Sequence, residues 1–175
     1  MAETRTFGAD LEVRGTDQRI VAGIAVPFGA VAEIAGRFSE AFIKGSFART
    51  IRERGDRVRL LALHDGVNRL PLGRATVLRE DSAGLYAELR VSKTQAGDDV
   101  LELVRDGAID GLSVGFAPVV DVWSADRRHV ERHEVKLHEI SLVTEPAYGD
   151  ARVLAVRAAT TPLRTALLRR RLDFY

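Results

Sequence analysis

Four histidines, His64, His129, His133 and His138, occur in a chain of 175 residues that has no cysteine. The absence of thiols excludes disulfides, iron–sulfur clusters, thiolate metal sites and a cysteine nucleophile, which leaves imidazole, hydroxyl and carboxylate chemistry. Three of the histidines fall between positions 129 and 138, a density that first suggests a metal. His133-Glu134 followed by His138 approaches the H-E-x-x-H zinc helix, but the second histidine comes one residue late, and on a strand positions five apart face opposite sides. No metal site is therefore assigned, and His129 and His133 are read as exposed flanks of a charged hairpin.

Gly111-Leu112-Ser113-Val114-Gly115 fits the G-x-S-x-G nucleophile elbow, in which small neighbours let a serine sit on a strained strand-to-helix turn. The next residues, Phe116 to Val120, continue as strand, so the elbow lacks its helix. Read as a strand, the segment puts Gly111, Ser113 and Gly115 on one face and Leu112, Val114 and Phe116 on the other. Glycine inside a strand often marks a place where another chain or ligand must come close; otherwise it marks a bulge or a barrel bend.

His64 ends the apolar run Arg57 to His64, sharing strand parity with Val58, Leu60 and Ala62, just before Asp65-Gly66 leaves the sheet. An imidazole with a pKa near 6.5 at the end of a rigid strand suits a general base, although a lone histidine there also fits packing or capping. In Leu137-His138-Glu139-Ile140-Ser141-Leu142-Val143, period-2 counting groups Glu139 with Val135, Leu137, Ser141 and Val143. A carboxylate on such an apolar face needs a partner, for which an imidazolium would serve. His138 falls on the opposite parity, so only one of the two is expected to face a site on a given side.

These residues need a sheet to hold them. Residues 19–28 (RIVAGIAVPF) read as a buried strand, with Leu11 and Val13 in a hairpin partner before Gly15. Helical spacing at Phe47, Ala48 and Ile51 with Gly55 as a stop predicts a short surface helix. Strands are expected from 57 to 64, from Gly73 to Leu78 and from Leu85 to Val91, the last with clean alternation. Thr94 caps a helix with the stripe Val100, Leu101, Val104 and Ala108, Asp98 and Asp99 lying near its positive end. Extended segments at 110–122 and 134–143 flank a polar tip at Ser124 to Arg128. Strands outnumber helices and the helices fall between hairpins, which favours an α+β fold with a mainly antiparallel, β-barrel-like core and a few surface helices.

At this length one compact domain, residues 1–157, buries about 70% of its unfolded surface, followed by a basic helix or tail at 158–175 that is expected to be solvated. With 26 basic and 25 acidic side chains there is no global pull toward nucleic acid or anionic lipid. No apolar run approaches the roughly 18 residues of a membrane span, and the polar start lacks a signal h-region. Nothing calls for a cofactor.

In order and spacing, a series of segments resembles the prohead (procapsid) maturation proteases of tailed phages and gene transfer agents, which are distantly similar in fold to the herpesvirus assemblin proteases. The segments are GIAVPF at 23–28, Phe38-Ser39-Glu40 leading to Lys44-Gly45-Ser46-Phe47, Leu63-His64-Asp65, Pro71-Leu72-Gly73-Arg74, Gly84-Leu85, Leu103 to Gly107, GLSVGF at 111–116 and HEISLVTEPA at 138–147. Together they span roughly residues 10–155.

The resemblance implies a herpesvirus-protease-like fold and a serine endopeptidase with Ser113 as nucleophile and His64 as general base. Its third member is Glu139 by position, or His138 by analogy with the second histidine of the herpesvirus enzymes. The implied substrates are the scaffolding region of the major capsid protein and the protease itself, cut inside an assembling procapsid in the bacterial cytoplasm. Self-association is a further expectation from the same relatives, and the basic tail is a candidate capsid-docking segment. Two competing functions are a noncatalytic capsid-assembly or scaffold protein with the same fold, and a G-x-S-x-G esterase, which requires a helix directly after Ser113.

Overall fold

The computed structural model describes residues 3–8, 12–14, 19–64 and 70–144. The basic segment 158–175 lies outside the described residues.

Among the described residues, ten strands and two α-helices follow in the order β1 (Glu3–Gly8), β2 (Glu12–Arg14), β3 (Ile20–Pro27), β4 (Ala32–Ile34), β5 (Phe38–Phe42), α1 (Ala48–Arg54), β6 (Arg59–Ala62), β7 (Gly73–Glu80), β8 (Gly84–Val91), α2 (Gln95–Arg105), β9 (Gly111–Trp123) and β10 (His129–Val143). The strands form one sheet curled into a half-barrel, in the order β1-β9-β10-β6-β7-β8-β3-β2, with β4 and β5 attached to the outer half of β10. Pairing is mainly antiparallel, as the hairpin-rich sequence predicts, but β10 meets both β5 and β6 in parallel.

Alternation in β8 puts Leu85, Ala87, Leu89 and Val91 at 0–1% exposure. They face Val21, Val26, Leu60, Leu112, Val114, Phe116, Ile140 and Leu142 in a single core. Burial of this many branched and aromatic side chains supplies the main driving force for closing the sheet. Thr94 caps α2 as its type and position require, its hydroxyl accepting from the Gly97 N–H at 3.1 Å. Helix α1 has no side-chain cap of its own. The Glu80 carboxylate, at the end of β7, instead accepts from the N–H groups of Gly45 and Phe47 at 2.9 and 2.7 Å.

The fifteen residues of β10 are paired along one edge by β9, while their other edge is covered in three stages. Strand β5 covers His129 to Arg132, and β6 covers Glu139 to Leu142. Between them α1 substitutes for a strand. Thr50, 3% exposed, donates its hydroxyl to the Val135 carbonyl at 3.2 Å and accepts from the Leu137 N–H at 3.1 Å. The Ser46 carbonyl takes the Val135 N–H at 2.9 Å.

Candidate active site

The alternation read for β9 holds: Leu112, Val114 and Phe116 are fully buried in the core, which leaves Gly111, Ser113 and Gly115 on the other side of the sheet. Ser113 stands between Thr6 of β1 and Ser141 of β10 and is itself fully buried. With strands on both sides, its backbone polar groups belong to the ladder. Gly115 pairs with Glu139, and a Cβ added there would lie 2.6 Å from Glu139 Cγ and 2.9 Å from its Oε1. The close approach signalled by glycine is thus that of a carboxylate side chain crossing the bare backbone.

Simple period-2 counting fails in β10. Leu137 pairs with Phe116, yet Glu139, two residues on, pairs with Gly115, leaving His138 as an extra residue in a bulge. Before the bulge Val135 and Leu137 point into the core; after it Ile140 and Leu142 do. Glu139 and Ser141 therefore do not share a face with Val135 and Leu137, as parity had grouped them. They join Ser113 and Gly115, because cross-strand partners project to the same side.

Parity also misplaces His64. Strand β6 ends at Ala62, and Leu63 and His64 both take left-handed backbone conformations, with φ of 51° and 57°. Two such residues in succession are unusual for branched or bulky side chains. They turn the imidazole away from the core side of Leu60, back over β10. There His64 Nδ1 lies 2.7 Å from Glu139 Oε1, the two side chains being 25% and 18% exposed.

The same carboxylate oxygen accepts from the Ser141 hydroxyl at 3.2 Å. An ionised carboxylate only accepts, so neutral His64 carries its proton on Nδ1 and keeps Nε2 as the basic nitrogen. Nε2 is buried and has no hydrogen-bond partner among the described residues. His64, Glu139, Ser141 and Ser113 thus lie on one face of three adjacent strands and the turn after β6, with no Nε2–Ser113 hydrogen bond formed.

His138, also off the core side, does not join this pair. Its pKa is lowered from the ordinary 6.5 chiefly by burial, then by the positive charges of Arg54 and Lys136, with Glu139 opposing. His129 and His133 are half-buried rather than fully exposed; His129 Nδ1 lies 2.9 Å from the Ser39 hydroxyl, and His133 Nε2 lies 3.2 Å from Glu131.

The esterase expectation is overturned, because β9 continues as strand to Trp123 where a nucleophile elbow needs a helix. A family model, that of the caudovirus prohead serine protease, matches residues 9–164. The chain belongs to that family. This prohead protease is accordingly a serine protease of procapsid maturation. Its fold is similar to that of the bacteriophage T4 capsid assembly protease, at 16% identity and a TM-score of 0.58 over 83% of this chain and 98% of that one. No curated protein matches.

One interaction escaped sequence reasoning altogether. Arg132, 1% exposed, donates to fully buried Glu40 through Nε and Nη2 at 2.9 and 2.8 Å and to Asp121 through Nη1 at 2.7 Å. It ties β5, β9 and β10 together. The only available signal was an acidic residue within the apolar pattern of Phe38 to Phe42.

Proposed function

We propose that Ser113 is the nucleophile, His64 the general base and Glu139 the residue that orients it. In this reading the endopeptidase cuts the scaffolding region of the major capsid protein and its own chain. The carrying observation is the 2.7 Å contact between His64 Nδ1 and Glu139, which leaves Nε2 basic and unpartnered on the face that holds Ser113. Substrate engagement brings Nε2 to the hydroxyl, as catalytic hydrogen bonds often tighten only in the complex. Nε2 takes the Ser113 proton, Oγ adds to the scissile carbonyl, and the imidazolium is stabilised by Glu139 until it returns the proton to the leaving amine. Ser141 donates to the same Glu139 oxygen and acts as a positioning residue.

The cutting takes place within the procapsid, in the bacterial cytoplasm, where enclosure with the substrate provides a high local concentration. Among the described residues no helix is long and apolar enough to cross a membrane. Self-association and capsid docking through residues 158–175 belong to the same proposal.

The test is incubation of the purified chain with the cognate capsid precursor, with mass spectrometry of the products. Ser113→Ala and His64→Ala are each expected to slow truncation by about 10⁴-fold or more. Glu139→Gln should slow it strongly and His138→Ala only weakly. Undiminished cutting by the Ser113 variant would leave a noncatalytic assembly role as the reading that survives.

A further inference from the structure

A cleft of about 200 Å³ opens between α1 and the β9–β10 ribbon, with Arg49, Glu53, Arg54, Val119, Glu134 and Lys136 in its wall. Its charges do not cancel evenly. Arg49 holds both acids, Glu53 at 3.1 Å and Glu134 at 3.2 Å, and Arg52 adds a second cation 3.6 Å from Glu53. Two guanidinium groups thus answer two carboxylates. Arg54 and Lys136 remain with no ion pair among the described residues, and Arg54 Nε is buried without an acceptor. A buried donor of that kind is costly until something accepts from it. The pKa of neighbouring His138, lowered first by burial, is lowered further by the same two cations.

The cleft lies in line with the site. Ser113, Gly115, Ala117 and Val119 share the outer side of β9, and across from them on β10 stand Ser141, Glu139 and Lys136, opposite Ser113, Gly115 and Ala117 respectively. Four residues of strand, about 13 Å, separate Ser113 from the level of Lys136. A polypeptide laid extended along this side of β9, across the Glu139 side chain that covers Gly115 and then over Ala117, with its scissile carbonyl at Ser113, carries the side chain about four residues away into the cleft.

We propose that this cleft is a specificity subsite that takes an acidic side chain of the polypeptide being cut, its carboxylate accepting from Arg54 and Lys136. The inference rests on Ser113 marking the point of cleavage, but the cleft's preference can be measured without turnover.

Ser113→Ala protein is titrated by fluorescence anisotropy with two labelled peptides that are identical except for one Glu or Gln. Tighter binding of the Glu peptide, by about tenfold, is expected from one charge-assisted contact, and the advantage should shrink as salt is added. The advantage should fall in Lys136→Gln, whose side chain is exposed, and disappear when Arg54→Gln is added. Arg52→Gln, a change of an exposed arginine on the same helix, should preserve it. Equal affinity for the two peptides, or an advantage that survives loss of both cations, overturns the subsite. In parallel, the unmodified chain digests a mixed peptide library, and the expected result is enrichment of Asp and Glu about four residues from the cut. A library left intact while the binding preference stands would sink the protease role of Ser113 and keep the subsite. Cutting with no acidic enrichment would do the reverse.

Discussion

The contact between Gly115 and Glu139 makes the smallest residue of the site one of its most demanding. A methyl group at 115 would fall within 3.0 Å of three Glu139 side-chain atoms and push the carboxylate off His64. Gly115→Ala is expected to lower kcat/KM by about 100-fold, the cost of roughly an ångström of misplacement, while thermal melting shows a folded protein. Adding Glu139→Gln should then cost little more, since the two changes remove one interaction. Full activity in Gly115→Ala would show that the carboxylate's place beside His64 does not matter.

His138 gives a pH effect of determinate sign. Its folded pKa lies below the ordinary 6.5, so as pH falls below 6.5 the unfolded chain takes up a proton that the folded protein resists. The stability contribution is complete above 6.5 and is lost on acidification through the folded pKa. His138→Gln should flatten this part of a plot of Tm against pH. An unchanged slope would place the acid sensitivity elsewhere.

At the scale of elements, α1 matters less for its seven residues than for replacing a strand along β10. Thr50→Val keeps the shape but strands the Val135 carbonyl and the Leu137 N–H, both satisfied by the threonine hydroxyl. A loss of about 2–4 kcal/mol in urea unfolding is expected, with Thr50→Ser recovering most of it. Such elements differed in how far the sequence disclosed them. Leu85 to Val91 and the Thr94 cap were legible because local period and local chemistry agree with the final fold. Strand β1, with the polar sequence ETRTFG, gave no apolar alternation, and β5 hides Glu40 behind a partner 92 residues away. Ser113, His64 and Glu139 stood out by type, but the path by which His64 meets Glu139 did not. Period-2 arithmetic assumes an unbroken strand, whereas the meeting depends on an extra residue in β10 and on two left-handed residues after β6.

Across the whole molecule, β10 is the seam, and Arg132 is its fastening. Arg132→Met would leave Glu40 buried without its guanidinium, at a cost of about 3–5 kcal/mol. Combining it with Glu40→Gln should restore part of the loss in the same urea titration. If the single change proves neutral, the ion pair is not what joins β5 to the seam. Beyond this network, β1 and β9 form one hydrogen-bonded piece, while β6, β7, β8, β3 and β2 form another, and among the described strands only β10 pairs with both. Ser113 belongs to the first piece and His64 comes directly after the β6 strand of the second. A nascent chain released or stalled before residue 129 therefore has its hydroxyl and its imidazole on separate fragments of sheet. The final described strand to leave the ribosome is the one that brings them together, so chains cut short there hold the proposed nucleophile and base without the strand that joins their two pieces of sheet.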